Sequence, residues 1–252
     1  MGAMRVVRMT HPSARITLLT TQPFEALARA CPYFDIVETD GRPKDIRGRA
    51  DLVRRIRQAN YDLVYDFQNN NRTAGYFAGL TGKKPKWSGA AEGASHQHRN
   101  PDRAAMQNFD RLEEQLRHAG LRPGPPGDPT GWIEGSPLLP SFDWIRPAFR
   151  DPPRFQPEYF SLYGPYVLLI PGSSEDHPEK RWPLGHFVEL AKWFADNEIT
   201  PVVIGGKAEG DIGMKIRSDG TCRDLCGSAS LAGIIRANIS IRLLATVHSL
   251  TG

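Results

Sequence analysis

The sequence has no apolar run approaching the ~20 residues that a membrane-spanning helix needs, so no transmembrane helix is predicted. The first eight residues, MGAMRVVR, also lack the apolar core of a signal peptide. Together these two absences predict a cytoplasmic protein.

Cysteines and blocks of like charge are scarce. Cys31, Cys222 and Cys226 form no Cys-x-x-Cys pair, which predicts reduced thiols and argues against a zinc site. Lys and Arg are spread along the chain, so nucleic acid is not predicted as a partner. The net charge of +4 and the pI near 9.0 still suit a partner that carries phosphate, such as a nucleotide diphosphate or an anionic lipid surface.

Common catalytic motifs are absent as well. The chain has no Gly-x-Ser-x-Gly, His-Glu-x-x-His or Gly-x-Gly-x-x-Gly, which argues against the common hydrolase, metalloprotease and simple dinucleotide-binding classes. His96 and His98 have same-face strand spacing, but no carboxylate or cysteine cluster accompanies them in the sequence. They are therefore predicted to be loop histidines, and no metal site or cofactor is expected.

Alternating helical and strand patterns are present, and they predict an α/β protein. Apolar residues spaced three or four apart predict a core-facing helix over residues 101–120 with Gly120 at its C′ position, a second helix over 184–196 and a helical stripe near the start; the inward residues are Met106, Phe109, Leu112 and Leu116, then Leu184, Phe187, Leu190, Ala191 and Phe194, and Ala3, Val6 and Val7. The 252 residues, with 40% hydrophobic and 24% charged residues, can bury a substantial core. Proline and glycine crowd residues 122–165, where regular structure is hard to sustain. An interdomain linker is placed near the end of that stretch, giving domains 1–150 and 151–252.

A strand, a polar loop and a helix follow one another in the second domain. Residues 167–170 form a short apolar run typical of a buried parallel strand, and Pro171-Gly172 ends it. The loop carries two hydroxyls and two cations, and Pro183 then starts a helix. Hydroxyls, cations and a helix N-terminus together suit a phosphate group, although an ordinary surface connection fits the same residues.

Polar residues also follow other predicted strands. Asp66 ends the predicted strand at 61–66, and Gln68 and Arg72 follow it; ligands gather at the carboxyl ends of strands in open α/β sheets. The same residues suit a simple Asn-rich turn. Glu209 follows the strand at 202–204, where its carboxylate could accept ribose hydroxyls or, alternatively, could start the next helix.

Several segments resemble one known family. The motifs Pro-Gly-Ser-Ser and Glu-Lys-Arg-Trp-Pro with Phe-Val-Glu-Leu-Ala, at 171–191, resemble the donor loop of the bacterial ADP-heptose:lipopolysaccharide heptosyltransferases, glycosyltransferase family nine. Residues 201–209 and 224–232 resemble the family's next strands, and residues 11–20 resemble its second strand. The resemblance implies the GT-B architecture of two Rossmann-like domains with parallel sheets, here both incomplete because the chain is expected to be truncated at both ends.

The resemblance also implies roles for residues of the second domain. Ser173 and Ser174 would bind the diphosphate of ADP-heptose together with Arg181, and Lys180 would stabilise the charge on the leaving ADP in place of a metal ion. Glu209 would hold the ribose.

The first domain would present the sugar hydroxyl of a lipopolysaccharide inner core, with Asp66, Gln68 and Arg72 as candidates near the acceptor. An Asp base would deprotonate that hydroxyl for an inverting attack, but its loop is expected upstream of Met1. An enzyme that transfers sugar to this acceptor is expected to bind peripherally at the inner face of the inner membrane.

Three alternatives stay open from the sequence. The chain could be an inactive nucleotide-binding remnant, in which the donor loop survives without its base. It could be a related transferase that uses another nucleotide sugar. It could also be a fragment that does not fold, because a lost first strand would expose apolar sheet edges.

Overall fold

The computed structural model describes residues 2–121, 144, 157–172, 181–217, 221–228 and 244–245. Contacts divide the chain into two compact units, Met1–Trp144 and Ile145–Gly252. The predicted boundary between residues 150 and 151 lies outside the described residues, so that boundary stays a prediction. Within the described residues, no helix is both long and apolar enough to cross a membrane.

The first unit alternates helices with short strands. Its helices and strands are, in chain order, α1 (Gly2–Thr10), β1 (Thr17–Leu19), α2 (Glu25–Ala30), β2 (Ile36–Glu38), α3 (Ile46–Gln58), β3 (Leu63–Tyr65), α4 (Asn71–Gly79), β4 (Lys86–Gly89), β5 (His96–Gln97) and α5 (Asn108–His118). Strands β1 and β2 form one parallel sheet, and β3, β4 and β5 form a second parallel sheet in that order.

The core of the first unit forms because each helix buries one apolar face. Helix α1, predicted from its spaced Ala3, Val6 and Val7, packs these residues against Leu116 of α5. A second cluster joins α4 to β4 through Phe77 and Trp87, whose ring centroids lie 5.2 Å apart.

The helix predicted over residues 101–120 is interrupted, and that prediction is wrong in part. A 3₁₀ turn at Pro101–Ala104 comes first, because Asn100 Oδ1 accepts from the amide of Asp102 at 2.8 Å. Helix α5 starts only at Asn108, which leaves Phe109 44% exposed rather than in the core. Gly120 does follow the helix with φ +85°, as its predicted C′ position requires.

The second unit holds one parallel sheet. Its elements are β6 (Tyr166–Leu169), α6 (Leu184–Asp196), β7 (Thr200–Val203), α7 (Gly210–Ile216), β8 (Arg223–Asp224) and β9 (Leu244–Ala245). The strands lie in the order β8-β7-β6-β9. In chain order this is 3-2-1-4, the arrangement of a Rossmann-type sheet.

Helix α6 has the bounds predicted from the sequence and buries the predicted face. Phe187, Ala191 and Phe194 are buried against Val167 and Val203 of the two central strands. The helix therefore fixes its own N-terminus relative to the end of β6.

Candidate functional site

The candidate donor site of the second unit lies at the carboxyl ends of β6 and β7. Strand β6 pairs with β7 on one side and with β9 on the other, so the strand order reverses there. Ligands of open α/β sheets bind at such switch points. The loop predicted to hold phosphate leaves β6 at this position.

Glu209 occupies this edge of the sheet. Its Oε2 accepts from the backbone amide of Gly206 at 2.7 Å, which caps the 3₁₀ turn Lys207–Glu209. A methyl group on Gly172, after β6, would lie only 2.6 Å from Glu209 Cγ, and one on Gly205, after β7, would lie 2.7 Å from its Cβ. Two glycines thus let the Glu209 side chain rest across both strand ends.

This placement unites the two sequence interpretations of Glu209. The residue does stand where a helix begins, but its side chain makes no cap bond to α7. One carboxylate oxygen instead holds the turn, and within the described part of the chain Oε1 has no hydrogen-bond donor. That oxygen can accept from a ligand.

The N-terminus of α6 lines a pocket at this end of the second unit. Pro183 precedes the helix, and within the described residues its side chain makes no cap bond, so the amides of Leu184 and Gly185 can receive an anion, whereas the amide of His186 donates to the carbonyl of Pro183. Trp182 anchors this end, with its ring stacked on His186 at 5.0 Å and edge-on to Phe187 at 5.2 Å. A pocket of about 260 Å³ lies here, lined by Pro171, Arg181, Trp182, Pro183, Leu184, Phe187 and Ile212.

The predicted donor residues are only partly described. Arg181 lines the pocket and Glu209 lies at the strand ends, both within the second unit. Ser173, Ser174 and Lys180 lie outside the described residues. Their roles stay predictions.

In the first unit, the predicted acceptor residues gather after β3. Asp66 is 5% exposed, and its Oδ1 accepts from the amides of Gln68 and Asn69, both at 3.0 Å. Its Oδ2 is buried and has no hydrogen-bond partner among the described residues. Gln68 is exposed beside it, and Arg72 lies in the first turn of α4 with a buried Nε that also lacks a partner in this part of the chain.

Arg103 adds a cation that sequence reasoning missed. Burial lowers the pKa of its guanidinium, as does the charge of Arg111, while the Asp66 carboxylate acts in the opposite direction. Its Nε is buried without a partner within the described residues. Within the described residues, Asp66 and Arg103 interact electrostatically, and each has a buried polar atom without a hydrogen-bond partner, which a polar ligand could satisfy.

A buried amide pair holds this cluster in place and was also missed. Asn69 Nδ2 donates to Gln115 Oε1 at 2.7 Å, and Gln115 Nε2 donates to the carbonyls of Asp66 and Ser88 at 3.0 and 3.1 Å. Gln115 is fully buried on α5. The burial of Gln115 could have been predicted from its position beside Leu116 and three residues after Leu112, on the apolar face of the helix.

These features define an α/β protein with two Rossmann-like units and parallel sheets. The predicted fold class, the GT-B architecture, is confirmed by its structural neighbours. Residues 147–248 match the family model of glycosyltransferase family 9 (heptosyltransferase), which confirms the resemblance seen in the motifs.

Solved structures with the same fold include three from this group. Escherichia coli ADP-heptose lipopolysaccharide heptosyltransferase II is 22% identical, with a TM-score of 0.67 over 98% of this chain and 74% of that one. A family 9 glycosyltransferase from Veillonella parvula is 20% identical, with a TM-score of 0.68 over 96% and 69%.

E. coli heptosyltransferase WaaC, solved with ADP-2-deoxy-2-fluoro heptose, is 14% identical, with a TM-score of 0.63 over 96% and 77%. A search of curated proteins finds no match. The family match and the fold together support the prediction of a glycosyltransferase enzyme.

Proposed function

We propose that the chain is a glycosyltransferase that moves a heptose from ADP-heptose to the inner core of lipopolysaccharide, with inversion and without a metal ion in the transfer step. The observation that carries the proposal is the position of the Glu209 side chain across the ends of β6 and β7. The N-terminus of α6, whose N-cap Pro183 makes no side-chain bond, belongs to the same edge of the sheet. The E. coli neighbours named for ADP-heptose and lipopolysaccharide support this donor and acceptor.

In this proposal the second unit binds the nucleotide. Glu209 Oε1 accepts a ribose hydroxyl while Oε2 stays on Gly206, so the ribose is held without loss of the cap. The first amides of α6 and the Arg181 guanidinium receive the diphosphate. Ser173 and Ser174 add hydroxyl donors to the same oxygens.

Lys180 supplies the charge that the transfer needs. Negative charge develops on ADP as the bond to the sugar breaks, and a fixed cation beside it lowers the barrier. Arg181 and the dipole of α6 act on the same oxygens, so cationic and dipolar groups take the place that a divalent metal has in other transferases.

The first unit supplies candidates for binding the acceptor. Asp66 Oδ2 can accept a hydroxyl, Arg72 can hold a phosphate or carboxylate of the lipopolysaccharide core, and Gln68 stands exposed beside them. Asp66 is proposed as an acceptor-binding residue and not as the base that deprotonates the acceptor.

We further propose that the protein works at the cytoplasmic face of the inner membrane as a peripheral protein. Helix α3 presents Arg47 to solvent next to Ile46, which is 86% exposed, and Arg54, two turns further along, is exposed although it pairs with Asp51. Exposed cations beside an apolar side chain suit an anionic lipid surface.

Isothermal titration of the purified chain with ADP and ADP-heptose tests the donor half of the proposal, and a transfer assay with a lipopolysaccharide core acceptor tests catalysis. ADP-heptose binding with sugar transfer is the expected result. ADP binding without transfer would instead support the nucleotide-binding remnant, and transfer from another nucleotide sugar would identify a different donor. A folded chain that binds none of these compounds would overturn the proposal.

A further inference from the structure

Three potential metal ligands converge in the first unit where α5 packs on β5. His98 follows β5 directly, and Glu114 and His118 lie on α5. His98 Nε2 lies 3.3 Å from Glu114 Oε2, His118 Nε2 lies 3.8 Å from Glu114 Oε1, and one ligand atom of each residue lies within 4.8 Å of the others. We refer to these three residues as the His-Glu-His cluster.

The backbone holds the cluster together. The amide of His98 donates to the carbonyl of Gly89 at 2.9 Å, which extends the pairing of β5 with β4. Glu114 and His118 are four residues apart on a helix and therefore share a face. The His98 and His118 rings lie 5.5 Å apart between centroids.

The surroundings of the His98 side chain suggest that it binds an ion. The residue is 3% exposed and its side chain is fully buried, yet neither ring nitrogen has a hydrogen-bond partner within the described residues. The nearby Glu114 oxygen is at 3.3 Å but outside hydrogen-bond geometry. Buried polar groups are nearly always satisfied, and an ion is one of the few explanations for an exception.

Glu114 is oriented by a neighbour, as metal-binding carboxylates commonly are. Asn100 Nδ2 donates to both of its oxygens, at 3.0 and 2.9 Å. Asn100 is itself fixed, because its Oδ1 accepts from the amide of Asp102. Such supporting hydrogen bonds hold a ligand in place without using all of its lone pairs.

The charges around the cluster have both signs. Glu114 brings one carboxylate, whereas the Arg103 guanidinium near His98 weakens, without removing, the attraction for a metal ion.

We propose that the His-Glu-His cluster binds a divalent transition metal, with Zn²⁺ as the preferred ion. Two imidazoles and one carboxylate are a ligand set typical of this metal, and bonds of about 2.0–2.1 Å place tetrahedral ligands roughly 3.3 Å apart. His98 and Glu114 already have that spacing. A small rotation of the half-exposed His118 side chain would bring its ring nitrogen within bonding distance of the ion, and a water molecule would be the fourth ligand.

The bound ion would clamp α5 to the end of β5. This role is independent of the transfer reaction, and it revises the expectation that His98 is a simple loop histidine. A carboxylate near His98 could not be predicted from the sequence, because Glu114 is brought there only by the packing of α5.

The test is titration of the chelator-treated 252-residue chain with Zn²⁺ by calorimetry, followed by thermal unfolding with and without the ion. Binding of one ion with a raised Tm is expected. His118→Ala changes a half-exposed ligand and should preserve the fold while weakening Zn²⁺ binding at least tenfold. His96→Ala, two residues from His98 and outside the cluster, is the matched control and should bind as the unchanged chain does.

Co²⁺ as a spectroscopic probe identifies the ligands. Visible absorption of tetrahedral or five-coordinate Co²⁺ without a thiolate charge-transfer band is expected, and Glu114→Gln should reduce it. Absence of Zn²⁺ binding, equal affinity in His118→Ala and His96→Ala, or a thiolate band from the cysteines would each overturn the proposal.

Discussion

The two units place polar side chains at the ends of their strands in different ways. In the first unit, Asp66 and Asn69 are fixed by the buried Gln115, which reaches them from a helix distant in sequence. In the second unit, Glu209 is held by one backbone amide and by the space that Gly172 and Gly205 leave for it. Both arrangements leave one carboxylate oxygen without a partner among the described residues, Asp66 Oδ2 and Glu209 Oε1. Only the first depends on a buried amide side chain from another element, which also stabilises the fold. Replacing a residue that supports the strand-end carboxylate should therefore lower stability in the first unit and weaken ligand binding in the second.

The largest expected effect concerns Gln115 in the first unit. Gln115→Leu roughly keeps the side-chain volume but leaves Asn69 Nδ2 and the carbonyl of Asp66 without their partner, whereas the carbonyl of Ser88 keeps the amide of Asp66 as a donor. Each buried unsatisfied group costs ~1–3 kcal/mol, so the free energy of unfolding should fall by about 3 kcal/mol. Urea unfolding measures this change.

Gln58→Leu, on the exposed face of α3, is the matched control and should change stability by less than ~0.5 kcal/mol. ADP affinity of Gln115→Leu should equal that of the unchanged chain below its unfolding transition. Equal stability of the two variants would remove the proposed difference between the units.

The contrast also explains what the sequence could predict. The inward face of α6, the strands on either side of it and the position of Glu209 depend on residues close together in the chain, so periodicity and turn residues indicated them. The donor-loop motif could be recognised because it too is contiguous.

Other features depend on contacts between distant residues. Asn69 and Gln115 are 46 residues apart in the sequence. Gln115 is one of many polar residues on its helix, so nothing in the local sequence distinguishes it as the one that contacts Asn69. The break before α5 arises from the turn that Asn100 caps, although proline at the first position of a turn was visible in the sequence. Local patterns cannot show which buried polar side chains will meet, because that depends on how α5 packs on β4.

The next largest effect concerns Gly172. In Gly172→Ala the new methyl group would lie 2.6 Å from Glu209 Cγ, so Glu209 must leave the strand ends. ADP affinity should fall by at least tenfold, or about 1.4 kcal/mol in calorimetry. Gly210→Ala, where the methyl group meets no atom within 4 Å, is the matched control and should bind ADP normally. Unchanged affinity in Gly172→Ala would show that the position of Glu209 is irrelevant to nucleotide binding.

Lys180 tests the loop itself. If Lys180 pairs with the diphosphate, Lys180→Ala should weaken ADP binding by roughly 1.5 kcal/mol, the lower value for a hydrogen bond to a charged group. The Tm should remain nearly unchanged, because a loop cation that faces a ligand has little role in the empty protein. Lys215→Ala, an exposed lysine of α7, is the control for net charge. Equal ADP affinity in both variants would exclude the proposed role of Lys180.

Glu209→Gln has the smallest expected effect and separates the two roles of this side chain. The glutamine oxygen can still accept from Gly206, so the turn and the Tm should be preserved, whereas Glu209→Ala loses the cap as well. The amide group in place of Oε1 cannot accept a ribose hydroxyl, so preference for ADP over an analogue without ribose hydroxyls should fall a few-fold. Full preference in Glu209→Gln would leave Glu209 as a structural cap and would make the two units alike, each using its carboxylate at the strand end to hold backbone amides.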